Sequence, residues 1–340
     1  MPRWERRVKP SFVSPIIKKL ARRAGVKVVL EPNYAYAGQI ELPDGRRRYF
    51  KGTSFDLNPL GASEVAKDKA YATFFMERLG YRVIEGESFF TVEWSRRIKR
   101  TDRSLDAAYR YARQLGFPVI VKPNSLSQGA GVCKVYNKRE FMHAVRSFSD
   151  RDKVFLVQRA ITGRDYRIVI LNDDVISAYE RTPLTVVGDG RSRVMQLLRR
   201  KQKHFEKTGR DTVIRMDDFR MRDCLRRQGL SMNSVLKRGH RAALLDNANL
   251  SSGGDAVDVT DSMHDSFRQL AIRLTKDMGL RFCGVDLIVR GSIVEPCQEY
   301  WVLEVNSAPG LDHYAEIGNQ QKGIVDGLYL RVIQAMKDLP

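Results

Sequence analysis

Two separated stretches hold side chains whose types and spacing fit phosphate chemistry. Asp286 lies in the apolar run Gly284–Val289, and Glu304 and Asn306 lie in Trp301–Asn306. Both runs read as strands. Alternation puts Glu304 and Asn306 on one face, with Val305 on the other. If the two strands pair, Asp286 joins them. A single acid at a strand end would simply face solvent. Two carboxylates and an amide oxygen amid apolar strands are costly unless paired or metal-bound, and they are the hard donors that Mg²⁺ takes beside substrate phosphates. The second stretch is Lys122, which closes the apolar strand Phe117–Val121, with the loop Asn124–Gly131 (NSLSQGAG) behind it. Small residues let backbone N–H groups approach an anion, and lysine adds a point charge. The GxxxxGK[ST] phosphate loop is absent. Alone, such a loop is equally a hairpin turn. With the triad downstream it reads as an ATP site, in which cations grip a polyphosphate from both sides.

Those residues need elements to hold them. A helix from Ser63, its cap, carries Val65, Ala66, Ala70, Phe74 and Leu79 to a stop at Gly80. Another runs from Leu105 to Leu115, between Ser104 as N-cap and Gly116. After the loop come a strand at Val132–Tyr136, a helix capped by Asn137 that buries Phe141, Ala144, Val145 and Phe148, and a strand at Val154–Val157. Arg167–Leu171 and Val175–Tyr179 read as a hairpin around Asn172–Asp174, and Asp261 or Ser262 caps a helix to about Met278. Residues 1–60 read as basic and irregular, with short β-like stretches (Val26–Leu30, Arg48–Lys51) and turns at Pro32-Asn33 and Asp44-Gly45. Residues 188–240 show few apolar runs and many basic residues, and read as a partly helical excursion with mobile parts. Helices and strands alternate but hairpins interrupt them, which predicts an α+β fold.

Composition limits the classes. Hydrophobic residues make up 43% of 340, enough for a packed core and too many for disorder. No apolar run reaches membrane-spanning length. Met1–Lys9 is basic without an apolar segment after it, so no signal peptide is expected. Cys133, Cys224, Cys283 and Cys297 are scattered, which argues against a disulfide scaffold or structural zinc and fits a reducing cytoplasm. Lysine and arginine number 59 against 40 acids, a formal charge of +19. That excess suits a polyanionic partner. Its clusters (Arg46–Arg48, Arg96–Arg100, Arg199–Lys203) come without zinc-finger spacing, and most of the charge reads as solvated surface.

Taken in order, Lys122, the Gly loop, Asp165, Asp286 and Glu304-Val305-Asn306 resemble the ATP-grasp superfamily, and most closely the ATP-grasp unit of cyanophycin synthetase and bifunctional glutathione synthetase. The stretches that carry the resemblance are Ala62–Lys69, Gly163–Arg167, Val186–Arg191, Asn247–Asp261 and Glu304–Leu311, within residues 45–315. The resemblance implies an ATP-grasp fold of two α+β lobes clasping ATP. It divides the chain into a basic N-terminal region (1–60), an N-lobe (61–118), a lid or central subdomain (119–162) and a C-terminal lobe (163–335) that includes the excursion. It implies a ligase: a carboxylate attacks the γ-phosphate, and an amine displaces phosphate from the acylphosphate to form an amide. Lys69 and Lys122 match phosphate-contacting lysines. Ser125, Ser127, Gly129 and Gly131 match the lid, and Gln158, Arg159 and Ile161 the adenine hinge. Asp165 matches the ribose acid. Asp286, Glu304 and Asn306 match ligands of two Mg²⁺ ions, with Mn²⁺ as an alternative. Arg167 and the segment Asn249, Ser251, Ser252, Gly253, Gly254 match substrate-side groups.

One expected cation is missing. Relatives place an arginine shortly before the residue matching Asn247, where this chain reads Leu244-Leu245-Asp246; Arg241, Arg215 or Arg281 could replace it, and Arg241 is taken with Arg167 as a catalytic candidate. No Mur-ligase-like module is expected after residue 330 and no glutamate–cysteine ligase module before residue 1, so the expectation is a stand-alone ligase acting on a small acid and an amine, amino acids or short peptides, with a homodimer compatible. The alternatives are an ATP-grasp kinase, which needs no amine, and a non-catalytic nucleotide- or nucleic-acid-binding protein. Among the histidines only His313, just after the Pro309-Gly310 turn, lies where it could face the site.

Overall fold

The computed structural model describes residues 11–208 and 210–339. The basic start at Met1–Lys9, Gly209 and Pro340 lie outside the described residues. Residues 11–60, read as irregular with short β-like stretches at Val26–Leu30 and Arg48–Lys51, form a helix and a sheet whose first and third strands lie at those stretches. In Val13–Ala24, Val13, Ile17, Leu20 and Ala24 recur at three- and four-residue spacing and are buried. Four basic residues among the 12 hide that stripe in the sequence. Gly25, at φ 65°, ends the helix and donates its N–H to the carbonyls of Ala21 and Arg22. The strands β1 (Lys27–Leu30), β2 (Ala37–Glu41), β3 (Arg47–Lys51) and β4 (Ser54–Phe55) make an antiparallel meander. The turns expected at residues 32–33 and 44–45 join its first three strands. The helix, this sheet and the long helix Asn319–Lys337 share one core.

A second antiparallel sheet has the order β5-β8-β6-β7, with β5 (Gly86–Phe90), β6 (Val119–Pro123), β7 (Cys133–Val135) and β8 (Val154–Arg159). Helices Leu105–Leu115 and Lys138–Phe148 pack on it. Their caps are the expected ones: Ser104 Oγ accepts from the Ala107 N–H at 3.3 Å and Asn137 Oδ1 from that of Glu140 at 3.0 Å. Because β5 pairs with β8, the lobe boundary drawn between residues 118 and 119 falls inside one sheet.

The third sheet positions the site. It contains β9 (Arg164–Leu171), β10 (Asp174–Thr182), β13 (Asp255–Asp258), β14 (Phe282–Val289) and β15 (Tyr300–Asn306), in the order β13-β10-β9-β14-β15. Alternation gives one face to Ile168, Ile170, Val285 and Leu287, which pack under helices Leu60–Lys67, Lys69–Arg78 and Asp265–Asp277. The opposite face is divided. Val169, Leu171 and Phe282 join the N-terminal core, whereas Asp165, Arg167, Arg181, Asp286 and Glu304 form a charged cluster.

Three further expectations need correction. The helix from Ser63 is two helices, broken at Asp68 (φ −94°, ψ 109°), whose carboxylate accepts from the Tyr71 N–H and so restarts the chain as a cap; Ser63 lies inside the first helix. The helix assigned a cap at Asp261 or Ser262 begins at Asp265, with His264 as its cap. The excursion, expected to have mobile parts, carries its own core: helices Val194–Thr208 and Phe219–Arg227 enclose Leu198, Phe205, Met221, Leu225 and Leu236 with the hairpin of β11 (Thr185–Val187) and β12 (Arg241–Ala243). All four cysteines are free. Among the described residues, no helix is long and apolar enough to cross a membrane.

Candidate active site

Asp286 on β14 faces Arg167 on β9 and Glu304 on β15 across the two ladders. It has no exposed surface. Arg167 grips it in a fork, Nε to Oδ1 at 2.6 Å and Nη2 to Oδ2 at 2.7 Å. Arg181 Nη2 adds a third contact at 3.0 Å and holds Asp165 through Nε at 2.7 Å. Glu304 Oε1 lies 3.7 Å from Arg167 Nη2 and accepts from Asn306 Nδ2 at 3.3 Å. The sequence-predicted triad is therefore brought together. Burial alone would lift Asp286, but Arg167 and Arg181 hold it below the ordinary carboxylate range. Burial lifts Asp165 to about 6 against the pull of Arg181, and Asp286 adds to the lift.

The phosphate side is built on Lys122, 4% exposed on β6. Burial lowers its ammonium to about 8, opposed by the Glu304 and Asp286 carboxylates and assisted by the Lys69 charge. Lys69 opens its helix and donates to the carbonyls of Asn124 at 3.1 Å and Leu126 at 2.6 Å, which fastens the loop behind Lys122. Asn124 accepts from the Ala70 N–H at 3.0 Å and donates to Asp68 at 2.7 Å. Ser125, expected to face phosphate, commits its N–H and hydroxyl to Asp152 at 2.6 and 2.8 Å. Ser127 is exposed, and Gly129 and Gly131 adopt φ 68° and 74°, which glycine takes without strain. A Cβ on Gly129 would lie 2.6 Å from Asn247 Nδ2, a buried donor without a protein partner. Arg220, not anticipated from sequence, donates to the carbonyls of Gly129 at 2.9 Å and Val132 at 3.1 Å, tying the loop to the excursion.

The hinge residues occupy the passage from β8 to β9. Gln158 is buried, while Arg159 turns to Glu85 at 2.8 Å and to the Leu115 carbonyl at 3.1 Å; Ile161 is half-buried in the connection. In the substrate segment, Asn249 Oδ1 accepts from the Ser251 N–H at 2.9 Å. Ser252 ends a single 3-10 turn, and Gly253 follows at φ 96°. Beneath it lies Arg210, a second cation that sequence reasoning missed. Its Nη2 donates to the Leu250 and Gly254 carbonyls at 2.7 and 2.6 Å, and its guanidinium lies 4.1 Å from the Phe205 ring centre. Arg241 and Arg215 are exposed, Arg241 on β12, and Arg281 donates to Asn172 at 3.0 Å; none of these makes the contacts that join the cluster. Arg181 could have been found by extending the β10 alternation two residues beyond Tyr179. Gly254 has a steric reason to be glycine: an added Cβ would lie 2.4 Å from the Thr182 carbonyl. Gly254→Ala is expected to lose about 1–3 kcal/mol of stability, read by urea unfolding; an unchanged midpoint would contradict this packing.

Two solved structures share the fold. A bifunctional glutathione synthetase from Pasteurella multocida superposes with a TM-score of 0.57 at 24% identity, over 93% of this chain and 43% of that one. The D-alanine–D-alanine ligase of Bacillus anthracis gives 0.51 at 13% identity, over 82% and 70%. Residues 83–190 match the family described as D-ala D-ala ligase C-terminus, and residues 240–326 match the RimK-like ATP-grasp domain. The chain belongs to the ATP-grasp superfamily. Among curated relatives, the glutathione biosynthesis bifunctional protein GshAB of Pasteurella multocida is 30% identical over 70% of this chain and 30% of its own length. The cyanophycin synthetase of Geminocystis herdmanii is 34% identical over 57% of this chain and 23% of its own. The chain thus spans about a third or less of these relatives. The two family matches leave out residues 191–239, nearly the whole excursion.

Proposed function

We propose that the protein is an ATP-dependent carboxylate–amine ligase that works through an acylphosphate and releases ADP and phosphate. The observation that carries this reading is the convergence of Asp286, Glu304 and Asn306 on one sheet face, with buried Lys122 on the sheet of the phosphate loop. The donor set fits Mg²⁺. All three offer oxygen, Glu304 is a quarter exposed, and the charge that would otherwise compensate Asp286 comes from two arginines that a cation could relieve. Bound there, Mg²⁺ would neutralise polyphosphate charge. Lys122 and Lys69 balance the phosphates from the other side, and the Ser127–Gly131 turn covers them. The hinge Gln158–Ile161 is assigned to adenine and Asp165 to ribose. In this reading Arg167, once released from Asp286, orients the reacting carboxylate, and the Asn249–Gly254 segment, stiffened by Arg210, holds the acid substrate. The excess positive charge favours an acidic donor such as a glutamyl or aspartyl compound, in a cytoplasmic setting.

The test is ADP and phosphate release from Mg·ATP with pools of amino acids and dipeptides, with products read by mass spectrometry. A condensation product formed with amine-dependent phosphate release is expected. A phosphorylated product without amide would make it a kinase. The low value for Lys122 gives a pH signature. The free protein's lysine is charged below pH about 8 and neutral above it. Nucleotide affinity is therefore expected to hold below that pH and fall as pH rises through it. Lys122→Arg, charged throughout, should flatten the profile in calorimetric titrations. A native profile flat across pH 8 would contradict the assignment.

A further inference from the structure

His313 follows β15 on the short helix Asp312–Ala315, and its side chain is only 11% exposed. Its Nε2 lies 3.3 Å from the Ser251 hydroxyl, in the segment assigned to the acid substrate. Its Nδ1 lies 3.1 Å from Glu316 Oε2 and 4.0 Å from Asp211 Oδ1. Arg210 faces the same group from the excursion, with Nε 3.7 Å from Glu316 Oε2. A neutral imidazole that donates Nδ1–H to Glu316 presents an Nε2 lone pair to Ser251. Burial opposes a positive charge there, but the Glu316 hydrogen bond and the Asp312 and Glu316 charges outweigh it and the repulsion from Arg210, so the imidazole is more basic than usual. The hydroxyl is not needed to hold the segment, because Arg210 and Asn249 already fix its backbone.

We propose that Ser251, His313 and Glu316 form a proton relay that deprotonates the incoming amine. The proposal rests on the ligase reading. An amino acid's amine is more basic than a peptide's terminal amine, whose pKa is about 8, so it arrives largely as ammonium at neutral pH and cannot attack until a proton leaves. That proton passes to His313 Nε2, directly or by way of the Ser251 hydroxyl, which gives its own proton to Nε2 as it accepts one. Glu316 stabilises the imidazolium. The free amine then forms the C–N bond to the acylphosphate carbonyl. The C–O bond to phosphate breaks, and the departing phosphate takes the second nitrogen proton.

The test uses the full chain with Mg·ATP and a mixture of the protein amino acids with their γ-glutamyl and aspartyl dipeptides. Hydroxylamine, largely unprotonated at neutral pH, serves as a nucleophile that needs no base. His313→Gln is expected to lower condensation with amino-acid amines about 100-fold, while hydroxamate formation changes by less than about twofold. Ser251→Ala should also lower condensation with amino-acid amines, less deeply. Glu316→Gln should move the acid limb of the condensation rate to lower pH, since the carboxylate that raises the imidazole is gone. Equal losses of hydroxamate and amide in His313→Gln, or an acid limb unchanged in both His313→Gln and Glu316→Gln, would overturn the relay while leaving the ligase standing. A wild-type chain that yields no hydroxamate would overturn the ligase reading, and the relay with it.

Discussion

Glu304→Gln is expected to lower ADP release by about 10²–10³-fold, the scale of removing a principal charge-stabilising group from a preorganised site. The fold should be unaffected. Gln keeps the shape of the side chain and an oxygen to accept from Asn306. Asp286, with both of its oxygens held by Arg167 and Arg181, retains its own compensation. Turnover measured beside a melting curve separates the two effects. Activity within about threefold of the native chain would remove Glu304 from the reaction.

Arg181→Leu should act in the opposite way, on stability first. The guanidinium bridges Asp165 and Asp286 while only 6% exposed. Removing one partner of a buried ion pair costs about 3–5 kcal/mol, because the other charge stays buried. Asp165→Asn in the same chain removes the stranded charge, so the double variant should be more stable than the sum of the single losses by about 1–3 kcal/mol. Urea unfolding of the four proteins gives the coupling. Losses additive within about 0.5 kcal/mol would show that the bridge contributes nothing as a unit.

What the sequence revealed was local. Two apolar runs put Asp286 beside Glu304 on condition that they pair, which they do, and Ser104 and Asn137 announce their helices by side-chain chemistry within four residues. What it concealed depends on distant packing. Val13–Ala24 looks like basic surface until its four buried apolar side chains meet the last helix. Asp68 breaks a helix that periodicity runs straight through, because its carboxylate caps the next turn. Arg210 gains meaning only from carbonyls 40 and 44 residues further on. The excursion's core is assembled from single apolar residues spread between Leu184 and Leu245, which no short window registers.

The most direct test of the acylphosphate is the fate of a carboxylate oxygen. The full chain would be turned over with Mg·ATP and an amino-acid and dipeptide mixture whose carboxyl groups carry ¹⁸O, and the released phosphate read by mass spectrometry. Attack of the carboxylate on the γ-phosphate followed by amide formation moves one ¹⁸O into each phosphate released, and that is the expected result. Phosphate free of label, formed while ATP is consumed and an amide accumulates, would contradict it.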